Sequence, residues 1–422
     1  MNIFIKKSFS LTAIKLFIIF SIVAYFILGF VFQQDPSNGG KIDFTHIYHN
    51  YKLIKNADFF SIDWNDFEST SLPLYYLVAS LLLSSNEILP FRFLALIISL
   101  SVPIILYFSL FTKFELIKKV DAVLLSSIVL LSSSFRTDSF FALEENIGFL
   151  ILSLVILFFN RFQNNKNMIN QFFLIFLSSL IFYTRQTYAF VAIIIFFELI
   201  DLKKILSKKN IYISLLFTLF LLPSLYFFYI WKGLVPPMAG SRIVGFDFSA
   251  IPIILNSYLI FLVPLIFFNI KKKDFILSKN FILLFIILFI SFYFFSNFNL
   301  KSFGGGPIYK LLFINGVNWI AKGIFIFLSI VCLYIIFILS KKDKNFLLFF
   351  IFFSLILIFA DNQQFSYFDP LIFILVNFLF NFKINNLLRT SQKYIFINIF
   401  YYFFLHLSWI LYFQIYLNNA IR

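Results

Sequence analysis

The stretch IDFTHIYH sets Asp43, His46 and His49 three residues apart, directly after the first long apolar run. On a helix such positions fall on neighbouring faces. Three readings fit that set. An acid with two imidazoles can hold a divalent metal. A carboxylate partly stripped of water at a membrane surface can take a proton from a hydroxyl nucleophile. The same residues can also be ordinary polar positions on an interfacial helix. No glutamate follows His46 directly, so the spacing is not the metalloprotease H-E-x-x-H.

Further polar residues stand at the ends of other apolar runs. In FALEENIG, Glu144 and Glu145 open one such run. They either complement a helix dipole or supply a second acid or a metal ligand to the cavity that Asp43 faces. In FYTRQTYAF, Arg185 and Gln186 interrupt an apolar stretch. A guanidinium there is a bidentate ligand for phosphate or an anchor at the membrane boundary. The loop WKGLVPPMAGSRIVGFDFS carries Arg242 and Asp247, with Pro236, Pro237 and three glycines marking defined turns. In FADNQQ, Asp361 and Asn362 end another apolar run, in what reads as a turn between spans.

The elements that must position these residues are membrane helices. Hydrophobic residues make up 61% of the 422, charged residues only 13%, and mean hydropathy is +0.94. A soluble domain carries about 25% charged residues. Apolar runs of about 20 residues, the length that crosses roughly 30 Å of hydrocarbon, recur from end to end. The alternation of a membrane β-barrel is missing. The net charge of +15 is dispersed over short loops, as positive-inside topology requires, and does not indicate a nucleic-acid partner. The one cysteine, Cys332, lies in an apolar run and forms neither an intrachain disulfide nor a metal cluster.

The expected fold is therefore all-α, a polytopic transmembrane helical bundle of about thirteen spans. Residues 1–422 read as a single integral membrane domain with no soluble domain. Residues 1–32 read as a retained first span with a cytoplasmic N-terminus, because the apolar stretch is too long for a signal peptide. Leu72 to Leu89 is the ambiguous segment. Placed in the membrane plane, it leaves 33–92 as one long external loop with an interfacial helix. Most of the 34 basic residues then fall inside and most of the 19 acidic ones outside. This topology gathers Asp43, His46, Trp64, Glu144, Glu145, Arg185, Gln186, Arg242, Asp247, Asp361 and Asn362 on the non-cytoplasmic face.

These stretches, in this order, resemble the dolichyl-phosphate-glucose alpha-1,2-glucosyltransferase family of the GT-C superfamily. The family opens with Asp-Glu-x-x-His after its first span; here Asp43 stands at the Glu and His46 at the His. Trp64 matches the family's Trp, and Ser69-Thr70-Ser71-Leu72-Pro73-Leu74-Tyr75 is similar to its Thr-Thr-Pro-Pro-Gly-Leu-Tyr stretch. Arg185-Gln186-Thr187 repeats its Arg-Gln-Thr. Gly245-Phe246-Asp247-Phe248-Ser249 loosely echoes Gly-Asp-Lys-Ser, and Ala360-Asp361-Asn362 repeats the start of its late motif. The chain departs from the family at Ile42, where the first acid stands, and at Gln363-Gln364, where the family has Arg-His. The region of Glu144 and Glu145 replaces its Tyr-Thr-Asp. The resemblance, which extends to bacterial GT-C proteins, implies inverting transfer of a sugar, glucose in the family, from a polyprenyl-phosphate donor to a lipid-linked glycan or other glycan acceptor. It implies Asp43 as base, His46 as its orienting partner, and Arg185 with Arg242 as phosphate ligands. No cofactor is required, although a divalent metal is compatible with the chemistry. The expected setting is a bacterial inner membrane rather than the endoplasmic reticulum. Two other functions use similarly apolar chains: an O-antigen-type polymerase, and a flippase or transporter of lipid-linked sugars.

Overall fold

A computed structural model describes residues 2–36, 40–114, 117–238, 248–270, 274, 279–298, 306–313, 316–358, 367–380 and 392–412. The regular structure of the described residues is all helical, with no strand among them. Seven helices among them are long and apolar enough to cross a membrane, or eight if one bent pair counts as a span. The chain is an integral, multi-pass membrane protein.

Nearly every expected span has a helix at its place, but their lengths divide them. The long ones are α1 (Asn2–Val31), α4 (Ile88–Lys113), α7 (Glu145–Asn164), α10 (Lys208–Trp231), α11 (Ala250–Asn269), α14 (Trp319–Ser340) and α17 (Gln392–Leu411). The apolar helices Met168–Tyr183, Gln186–Leu199, Phe281–Phe295 and Lys344–Ile358 are shorter. The expected span at 369–382 is α16 (Leu371–Ile374) followed by a π-turn over Leu375–Leu379. The ambiguous segment holds α3 (Leu74–Leu82). Its nine residues rise about 14 Å, well short of the roughly 30 Å hydrocarbon layer.

The chain packs as two compact units, one formed by Met1–Gly240 with Arg389–Arg422, the other by Ser241–Leu388. In the first, α4 and α7 form the central pair. They run parallel, because Ser99 Oγ meets Asn146 Oδ1 at 3.0 Å and, further along both, Asn160 Nδ2 donates to Ser109 Oγ at 2.8 Å. Small hydroxyls let the two backbones approach and the amides bond across, as membrane helices do where apolar surface alone gives no preference. The bent pair is α5 (Lys119–Ser127), continued by one 3₁₀ turn to Leu131, and α6 (Ser133–Phe140), at 72° to each other. Ser132 at the break is extended, and its hydroxyl caps α6 by accepting from Phe135 N at 3.0 Å. Helix α1 lies against both pieces. Lys15 Nζ reaches Asp121 at 2.5 Å, and Gly29 makes room for the Arg136 side chain and Phe140. A Cβ on Gly29 would stand 2.3 Å from Arg136 Nη2.

In the second unit α11 and α14 form the main pair. Asn256 Nδ2 donates to Ser329 Oγ at 2.6 Å and to Phe325 O at 3.0 Å. The short helix α13 (Gly306–Leu312) packs on α11 and α14, with Tyr309 and Phe313 against Phe298 and Phe325.

Candidate functional site

Those of the polar residues singled out in the sequence that lie in the first unit and are described collect at one end of it. Helix α1 finishes there, α4 and α7 begin there, and Met168–Tyr183 and α10 end there. Helix α2 (Gly40–Lys55) starts under a local cap: Asp35 accepts from Gly40 N at 3.3 Å and from Lys41 N at 3.2 Å. Gly40 is needed because a Cβ would stand 2.5 Å from the Phe141 ring and 2.6 Å from Thr137 Cγ2. Asp43 lies exposed in the first turn of α2, where a negative charge complements the helix dipole. His49 is also exposed, whereas His46 is half-covered and its Nδ1 lies 2.7 Å from Glu68 Oε2.

Glu68 begins the inner part of the cluster. Its amide donates to Asn50 Oδ1 at 2.9 Å, which ties the non-helical strap 67–73 to α2. The next residues of the strap point at Glu144. Ser69 Oγ and Ser71 Oγ donate to Glu144 Oε1 at 2.7 and 2.6 Å, and Tyr76 of α3 donates to Oε2. Glu144 is buried. Burial, and then the neighbouring charge of Glu145, push its carboxyl above the usual carboxylate range, against the pull of the three hydroxyls. Burial beside that carboxyl also pushes the Tyr76 phenol well up.

Adjacent in sequence, Glu145 has a different fate. It opens α7 and pairs with Arg185 Nη1, both side chains being largely covered. Gln186 Nε2 donates to Leu234 O at 3.2 Å. Trp64 is only 2% exposed, its ring enclosed by Phe59, Phe67 and Phe227, and its carbonyl accepts from Trp231 Nε1 at 2.8 Å. It thus anchors the strap to the end of α10.

One chain of contacts therefore joins His46, Glu68, Ser69, Glu144, Glu145 and Arg185. The site residues Arg242, Asp247, Asp361 and Asn362 lie outside the described residues. The sequence reading passed over Glu68, Ser71 and Tyr76 as site residues. Their signal was present in FESTSLPLYY, a run of hydroxyls behind an acid in an otherwise apolar chain. Arg136, which follows an apolar run, is fully buried in α6, stacked 4.1 Å over the Tyr25 ring and donating to Gln34 Oε1 at 2.9 Å.

Among the described residues no three His, Cys, Asp or Glu side chains are grouped to hold a metal ion. No family model, curated protein or solved structure matches the chain.

Proposed function

We propose that the protein is a membrane glycosyltransferase of GT-C type that moves a sugar from a polyprenyl-phosphate donor to a glycan acceptor, itself lipid-linked, at the non-cytoplasmic face. The observation that carries this reading is the joined cluster from His46 to Arg185, which sets acids, an imidazole and a guanidinium at one end of the helices. The opposite end of the same unit holds Lys113, Lys118, Lys119, Arg161, Lys166, Lys203, Lys204, Lys208 and Lys209. Positive-inside sorting makes that lysine-rich end cytoplasmic and the cluster non-cytoplasmic.

In this reading Asp43, exposed at the mouth of the cluster, takes the proton of the acceptor hydroxyl. The hydroxyl oxygen attacks the anomeric carbon from the face opposite the phosphate. The carbon–oxygen bond to phosphate breaks, and its electron pair leaves on the polyprenyl phosphate, so the configuration inverts. His46, braced by Glu68, orients Asp43. Arg185 meets the charge growing on the phosphate. Glu145 pairs with Arg185 and holds its guanidinium in place. Glu144 and its hydroxyls hold the strap in place.

A second reading, transport of a lipid-linked sugar, draws on the break at Ser132 and the buried Arg136 beside it, since transporters place broken helices and buried charges in the bilayer. The test is to give the purified protein a panel of polyprenyl-phosphate sugars with lipid-linked glycan acceptors. The transferase reading expects one donor to be consumed with release of polyprenyl phosphate. Movement of a donor across vesicles without its consumption would overturn it in favour of transport.

A further inference from the structure

A cleft of about 320 Å³ opens beside the cluster but is built from other residues: Gln33, Lys41, Phe44, Ile88, Arg92 and Phe141. Two of the six are cations and none is an acid. Arg92 is 7% exposed, and its guanidinium is packed between Phe30 and Phe141, at 5.2 and 5.4 Å from the ring centres. Nε donates to Phe140 O at 2.6 Å, while Nη2 is buried with no hydrogen-bond partner. Among the described residues no carboxylate pairs with Arg92 or with the Lys41 ammonium. The nearby Asp35 is committed to the amides of Gly40 and Lys41 and to the Thr137 hydroxyl. A guanidinium this deeply buried normally has an anion.

The level of the cleft says which anion. Gln33 follows the end of one candidate span, Leu11–Val31, and Ile88 begins another, Ile88–Lys113. Around them Val31, Phe32, Leu89 and Phe93 are exposed apolar residues, the surface that hydrocarbon covers on a membrane span. The cleft thus lies where two spans leave the bilayer, the depth of lipid phosphates.

We propose that this cleft binds the phosphate of a membrane lipid, held between Arg92 and Lys41, with the Phe44 and Phe141 rings against the first carbons of its tail. The proposal is independent of glycosyl transfer. A polyprenyl phosphate and an anionic phospholipid share the chemistry, and the experiment separates them. The full-length protein, stripped of lipid in neutral detergent, is titrated with a polyprenyl phosphate, with phosphatidylglycerol and with inorganic phosphate. Binding is read by native mass spectrometry and by protection of Lys41 from amine acylation. The variants are Lys41→Ala, Arg92→Gln and, as a control on the same helix, Lys52→Ala.

The expected result is saturable binding of one or both lipids that protects Lys41. It falls about tenfold or more in Lys41→Ala and in Arg92→Gln and is unchanged in Lys52→Ala. Preference between the two lipids then identifies the occupant. Equal binding of inorganic phosphate would overturn the lipid assignment. Undiminished lipid binding in Lys41→Ala would overturn the site, and since Lys41 is exposed, that variant decides the matter even if Arg92→Gln fails to fold.

Discussion

Glu144 offers the sharpest test of how the cluster is held. Replacing it with alanine removes the acceptor of three hydroxyls, those of Ser69, Ser71 and Tyr76. All three residues are buried, so water cannot take the place of the lost carboxylate. Each stranded donor costs about 1–3 kcal/mol. Hydroxyls rotate, and some of that cost is recovered at backbone carbonyls, so the net loss for Glu144→Ala is about 3 kcal/mol. Glutamine keeps one oxygen for Ser69 and Ser71 and loses the charge, so Glu144→Gln costs about 1 kcal/mol near pH 5. The pH dependence carries a sign. The folded protein raises the Glu144 carboxyl above its ordinary 4.5, so it binds that proton more tightly than the unfolded chain does. The contribution of Glu144 is fully present below 4.5 and is lost as pH rises through the folded value. Glu144→Gln must therefore gain on the wild type as pH rises from about 4.5. The assay is unfolding in mixed micelles between pH 4 and 8, followed by tryptophan fluorescence, since Trp64 and Trp231 sit in the affected region. A loss below about 1 kcal/mol for the alanine variant, or equal losses for both variants at every pH, would refute the claim that this carboxyl holds the strap.

Other perturbations address the scaffold. Gly29→Ala should cost about 1–3 kcal/mol by forcing apart α1 and α6, where a Cβ meets Arg136 and Phe140; a neutral result in the same unfolding assay would contradict that packing. Lys15→Met should cost about 3–5 kcal/mol by leaving Asp121 buried and unpaired, and Lys15→Met with Asp121→Leu should recover most of it. Lys310 is pushed down to about 8 by burial. The folded protein therefore releases that proton earlier than the unfolded chain, and stability should rise between pH 8 and 10.5. Lys310→Met should flatten that rise in a pH series of unfolding midpoints.

The positions of the helices were legible because apolar runs are long and local. Their exact lengths were not, because length, bends and π-turns depend on packing: of the run 369–382 expected as a span, Leu371–Leu379 folds as one short helix and a π-turn. The site was legible in its residue types and not in its pairings. Glu144 and Glu145 are identical in the sequence, yet successive residues at a helix start point about 100° apart. One therefore turns into the hydroxyls of the strap and the other toward Arg185, forty residues on. The link between His46 and Glu68 was hidden for the same reason, since nothing local says which acid of the loop folds back on α2. Arg136 follows an apolar run, and the turn at Ser132 carries it into the interior.

The central claim is that Asp43 is the base of a glycosyl transfer, and it is tested most directly by the rate of donor consumption in Asp43→Asn. Asp43 is exposed in the first turn of α2, so the variant keeps its fold, checked by gel filtration and tryptophan fluorescence. With the donor that the wild type consumes, the account predicts a fall of about 10²–10⁴ in rate with donor binding retained. Turnover at the wild-type rate in the folded variant would contradict it.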